Sequence, residues 1–95
     1  MKIMEDKGMD IGRVVLAKAG RDKGKHFVIV GKIDEDYVLI ANGTNRTIDK
    51  PKKKKLKHLD LKPELLGELK EKFERGQKVY DAEIRKSLKM LGYEK

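Results

Sequence analysis

The sequence predicts a mainly β domain, a small barrel of four to five short strands followed by a C-terminal helical hairpin. Three observations carry this. Short β-branched runs alternate with glycine-bearing turns through the first half of the chain. The turn signals are close together, too close for helical crossovers between parallel strands. After Pro63 the apolar residues change to a spacing of four.

Taken in order, Ile11 to Ala17 (IGRVVLA) reads as a first strand and Lys18 to Lys25 as a charged loop with two glycines. Phe27 to Val30 (FVIV) continues through Gly31-Lys32-Ile33 as a second strand, and Asp34-Glu35-Asp36 is a polar turn. Tyr37 to Ala41 (YVLIA) is a third strand, with Phe27 and Tyr37 assigned to the core. Asn42-Gly43 is a strong hairpin signal, because both residue types tolerate positive φ. Arg46-Thr47-Ile48 is then expected as a short fourth strand, and the alternation of Leu59 and Leu61 with charged residues marks another. Pro63 suits the first turn of a helix, with Leu65, Leu69 and Phe73 on one face and Gly76 as its stop. A second helix is expected from Asp81 as N-cap, with Glu83 in its first turn, Ile84, Leu88 and Leu91 as its stripe, and Gly92 at its end. The short link Gln77 to Tyr80 predicts an antiparallel pair. One narrow apolar face leaves each helix unstable alone, so both must pack on something. The expected division is 10–62 for the barrel and 63–95 for the two-helix extension.

Ninety-five residues hold one small domain, too little for a deep enzyme cleft. The absence of cysteine excludes disulfides and thiolate metal sites. No apolar run approaches a membrane span, and Met1 to Asp10 lacks a leader's apolar stretch, so a cytoplasmic protein is expected. The formal charge of +8 is not spread evenly. Residues 1–49 and 63–95 are each close to balance at +1, whereas residues 50–62 carry seven lysines against one aspartate. A concentrated excess of this kind points to a polyanionic partner, against the plainer reading of a solvated lysine run.

Catalytic chemistry finds little footing. Gly20 to His26 superficially resembles a phosphate loop, but its spacing is one residue short, no Ser or Thr follows the lysine, and a strand follows instead of a helix. His26 and His58 are the only histidines and lack companions for a metal site. Asp34-Glu35-Asp36 lacks the glycine and distal glutamate of a calcium loop. Ser87, the only serine, falls on a helix. The reading is of a protein that is not an enzyme and has no cofactor, metal or small-molecule substrate. What remains is the loop, offering Lys18, Arg21, Lys23 and Lys25 around Gly20 and Gly24, and the basic segment Lys50 to Lys57. Lysine and arginine contact phosphates, and glycine lets backbone approach a sugar-phosphate chain. Equally, the glycines could serve only the bend.

The order of residues resembles a known pattern. Gly12-Arg-Val-Val, Ala19-Gly20-Arg-Asp-Lys-Gly24-Lys, Val28-Ile-Val and Ile33-Asp together are similar to a KOW motif, a strand, a glycine-bearing basic loop and a strand. Val38-Leu-Ile, Asn42-Gly43, Arg46 and the basic run ending Lys57-His58-Leu59 look like the large-subunit ribosomal proteins of the fourteen-e and twenty-seven-e types. The resemblance runs from about Asp10 to Leu61. It implies an SH3-like barrel that binds ribosomal RNA. It also implies contacts from Arg13, Arg21, Lys23 and Lys25 in the motif, and from Arg46, Lys52, Lys53, Lys54, Lys55 and Lys57 beyond it. RNA would be recognised by shape through its backbone, with ribosomal proteins as further neighbours. The rival expectation is a module docking a translation or transcription factor, whose helices would present Leu65, Leu69, Ile84 and Leu88.

Overall fold

The computed structural model describes residues 10–93. The expectation for Met1–Met9, and the last two positions of the C-terminal segment, lie outside the described residues. The chain forms β1 (Arg13–Ala17), β2 (His26–Lys32), β3 (Tyr37–Ala41), β4 (Lys52–Lys55), a 3-10 turn (Leu56–His58), β5 (Leu59–Leu65), α1 (Gly67–Glu74) and α2 (Asp81–Met90). The strands make one antiparallel sheet in the order β4-β3-β2-β1-β5.

That sheet cannot be flat. Its edge strands β4 and β5 would stand four spacings apart, about 19 Å at ~4.8 Å per strand. Only the 3-10 turn joins Lys55 to Leu59, and four residue steps reach at most about 14 Å. The edges are therefore curled towards one another. The turn is bonded to both sides, Leu56 N–H donating to Asp36 O beside β3 and Lys18 N–H beside β1 donating to His58 O. The expected barrel takes the form of a curled sheet whose ladder stays open between β4 and β5.

Curling explains the near-continuous apolar strands. Val15, Ala17, Phe27, Ile29, Val38, Ile40 and Leu59 form one buried cluster inside the curl. The alternate residues Val14, Val28 and Ala41 face the opposite way and join Leu69, Val79, Ile84 and Leu88 in a second. Both faces of β1 and β2 are covered, so neither needs a polar side.

Two expected elements fall elsewhere. Arg46–Ile48 is not a strand, because its backbone is used in other ways. Asn42 and Gly43 N–H both donate to Arg46 O, Arg46 N–H donates to Asn42 Oδ1, and Ile48 N–H donates to Asp81 Oδ1. The fourth strand is the lysine run itself, paired with β3 from Tyr37↔Lys55 to Ile40↔Lys52. Pro63 does not open a helix; it lies in β5, where three residues of β1 (Arg13 to Val15) face five of β5 (Leu61 to Leu65). An edge strand at a bulge is where a sheet tolerates proline, and Arg13 Nη1 donates to the carbonyls of Lys62 and Pro63 there. Leu65 thus belongs to β5 and is exposed.

Two helices follow, with α1 opening at Gly67, the N-cap of α2 falling on Tyr80 with Asp81 as its first residue, and Leu91 of the expected stripe exposed; each helix leans on the sheet. Gly12 and Gly43, both at positive φ, receive the two helix starts. A Cβ on Gly12 would lie 3.0 Å from Leu66 O, and one on Gly43 2.5 Å from Asp81 O. Both helices end in the paired Schellman bonds, Gly76→Phe73 with Gln77→Lys72, and Gly92→Lys89 with Tyr93→Leu88. A groove of about 480 Å³ lies between the helices, crossed by the Lys72–Glu83 ion pair. Leu69, Ile84 and Leu88 are buried in the core, so the apolar helix surface that the protein-docking expectation requires is already occupied. Tyr93 ties the end of the described chain back to the sheet, its ring stacked 3.9 Å from His26 and its hydroxyl 2.9 Å from Glu64 of β5. None of the described helices is long and apolar enough to cross a membrane.

Candidate nucleic-acid interface

The loop between β1 and β2 is a tight turn closed by its own backbone. Gly24 N–H donates to Ala17 O, Ala17 N–H to Lys25 O, Lys23 N–H to Gly20 O and Lys25 N–H to Asp22 O. Gly20 and Gly24 adopt φ of 81° and 87°, a region costly for other L-residues. The bend accordingly needs them whatever else the loop does. With the backbone paired inward, Lys18, Arg21, Lys23 and Lys25 are all exposed.

Three neighbours meet this loop. Lys18 N–H reaches the 3-10 turn that carries Lys57. From β4, Lys54 Nζ donates to Ala19 O at 3.0 Å. From the 42–48 turn, Arg46 pairs with Asp22 at 3.1 Å, while Asn45 Nδ2 donates to Asp22 Oδ1 at 3.4 Å. The fold therefore brings the motif loop, the turn after β3 and the later part of the basic segment together.

The twelve cations proposed from sequence do not stand alike. Lys54 is 9% exposed, on the same face as its partner Val38, and spends its ammonium on the loop. Arg46 is held by Asp22. Arg13, well away from the loop, is paired with Asp10 and bonded to the β5 bulge. Lys53 and Lys55 project on the other face of β4 and lie 4.7 and 5.8 Å from the Tyr37 ring centre. Their stems cover the ring, which is half-buried at the strand start and not in the core expected from sequence, and their charges remain outside. Lys50, Lys52 and Lys57 are exposed. Among the described residues, no ion pair neutralises Lys18, Arg21, Lys23, Lys25, Lys50, Lys52, Lys53, Lys55 or Lys57. Asp22 and Asn45, which hold the loop in place, were not singled out from sequence; a lone carboxylate in a basic loop gives no sign that it turns inward.

A small curled antiparallel sheet with a glycine-bearing cationic loop, followed by two helices, defines the class, a small β domain with a helical C-terminal part. Comparison with known proteins narrows it. Large ribosomal subunit protein eL14 of Pyrobaculum arsenaticum is 39% identical over 54 residues, 57% of this chain and 52% of that protein. The proteins of the same name from Desulfurococcus amylolyticus and Staphylothermus marinus are 36% and 38% identical over 52 residues. In both cases 55% of this chain matches 54% of the relative. Of the two ribosomal types that the sequence resembles, these relatives carry the fourteen-e name. The chain spans about half the length of the curated relatives it matches. No protein-family profile matches it.

Proposed function

We propose that this chain is a non-catalytic RNA-binding protein, a ribosomal or ribosome-associated component that holds ribosomal RNA through its basic loop and β4. The observation that carries the reading is the loop of Lys18 to Lys25, four exposed cations with no ion pair among the described residues, on a turn braced from β4 and from the 42–48 turn. The large-subunit relatives support it. Lys50, Lys52, Lys53, Lys55 and Lys57 extend the surface, whereas Arg13, Arg46 and Lys54 act by supporting the fold. Phosphates are the groups such lysines neutralise, and the shape of the RNA supplies selectivity. The working place is the ribosome in the cytoplasm, with other ribosomal proteins as neighbours, and neither membrane nor small-molecule substrate is involved. The rival docking role loses its surface, since three of its four named side chains are core.

Crosslinking in native lysate, with ribosome fractions run alongside, tests this. The expected product is large-subunit ribosomal RNA attached to the protein in those fractions. Protein free of RNA and eluting from heparin at low salt would defeat it.

A further inference from the structure

Asp22 is the only acidic residue of the loop, and it sits between Arg21 and Lys23, both exposed. On the surface it would compete with RNA phosphate for those cations. It is instead 2% exposed, with one oxygen accepting from Arg46 Nε and Nη2 at 3.2 and 3.1 Å and the other from Asn45. Three residues earlier, Lys54 Nζ holds Ala19 O. The braces fall between and beside the two glycines, the positions where a backbone moves at least cost.

We propose that Asp22 is a positioning residue for RNA binding: clamped by Arg46 and Asn45, it sets the direction in which Lys18, Arg21, Lys23 and Lys25 meet the phosphates. The proposal rests on the RNA-binding reading of this loop and adds how the loop is oriented. It also has a sign that simple charge does not. Asp22→Asn makes the site one charge more positive and releases Arg46, so electrostatics alone gives tighter binding. A loop that loses its clamp spends less time in the competent shape, and apparent affinity falls by that fraction.

The test uses the full chain, deproteinised large-subunit ribosomal RNA as the structured probe, and heparin as a flexible polyanion. Asp22→Asn and Arg46→Lys are compared with the parent at several salt concentrations, with circular dichroism to verify folding. If the competent shape drops to between a third and a tenth of the population, affinity for ribosomal RNA falls about three- to tenfold. Heparin retention should stay equal or increase, a split that general unfolding would not give. Arg46→Lys keeps the charge but loses the two-pronged grip, so it should move in the same direction and carries the test if Asp22→Asn fails to fold. Ribosomal RNA binding as tight as the parent's, or tighter, in the folded variants overturns the proposal. Failure of the parent itself to bind ribosomal RNA would instead remove the RNA reading beneath it.

Discussion

Lys53 and Lys54 are adjacent in a run of four identical side chains, yet the fold uses them in opposite ways. In a strand, neighbours point to opposite faces, which turns Lys54 inward to Ala19 O and Lys53 outward over Tyr37. Lys54→Met leaves a carbonyl without its donor and should destabilise by about 1–3 kcal/mol. Lys52→Gln and Lys53→Gln should stay within about 0.5 kcal/mol, as read from denaturant midpoints. RNA binding should show the reverse order. Replacing Lys52, Lys53 and Lys55 with Gln should flatten the log–log salt slope by about 2–3, at roughly 0.7–0.9 per phosphate contact. An unchanged slope would make these lysines a solvated edge that only discourages strand pairing. None of this inequality was legible beforehand. Four consecutive identical charges carry no apolar alternation, so no period assigns them to a strand or to a face.

At the level of elements, what could be read and what could not divide along a physical line. Tyr37–Ala41 appears at its expected bounds, and the Leu69, Ile84 and Leu88 stripes and both glycine stops are where the pattern put them, because each is decided by local residues. Arg46–Ile48 and Pro63 depart from the expectation because distant partners decide them: Asp81 takes the Ile48 N–H, and Arg13 fills the bulge around Pro63. Helix docking can be tested directly. Leu69 is 4% exposed, and Leu69→Ala should cost about 2–4 kcal/mol in a denaturant melt. The start of α2 also predicts an acid response. Lys72 and the Tyr80 N–H hold the Glu83 carboxyl below its ordinary 4.5. A carboxylate with a depressed folded pKa stabilises above its unfolded value, and that contribution disappears as pH falls through the folded one. Stability should therefore decline as pH drops below about 4.5. Glu83→Gln should make that decline shallower, and an identical acid limb in the variant would show that the Lys72 contact contributes nothing.

For the molecule as a whole, the question is whether the helices are an appendage or part of the core. The charge break near residue 62 and the change of period after Pro63 are the signals behind the expected boundary there. Both are surface or local signals, and neither reports what lies beneath. The structure shows the sheet to be two-sided, with the curl burying one face and Leu69, Val79, Ile84 and Leu88 needed to cover Val14, Val28 and Ala41 on the other. Sheet and helices share that cluster, and Gly12 and Gly43 admit the helix starts at contact distance. The covalent order reinforces this, since β5 pairs with β1 as far as Leu65 and α1 begins at Gly67. A chain cut after Lys62 would lose the end of β5 and bare the Val14 face at once. The intact chain should unfold in a single transition, with circular dichroism and the intrinsic fluorescence of its tyrosines giving the same midpoint. The fragment ending at Lys62 should be unfolded or aggregated at the temperature where the whole chain is folded, because a sheet this small has no surplus to cover an exposed apolar face. A soluble fragment with a cooperative melt of its own would establish the sheet as an independent domain and make the helices a separable extension.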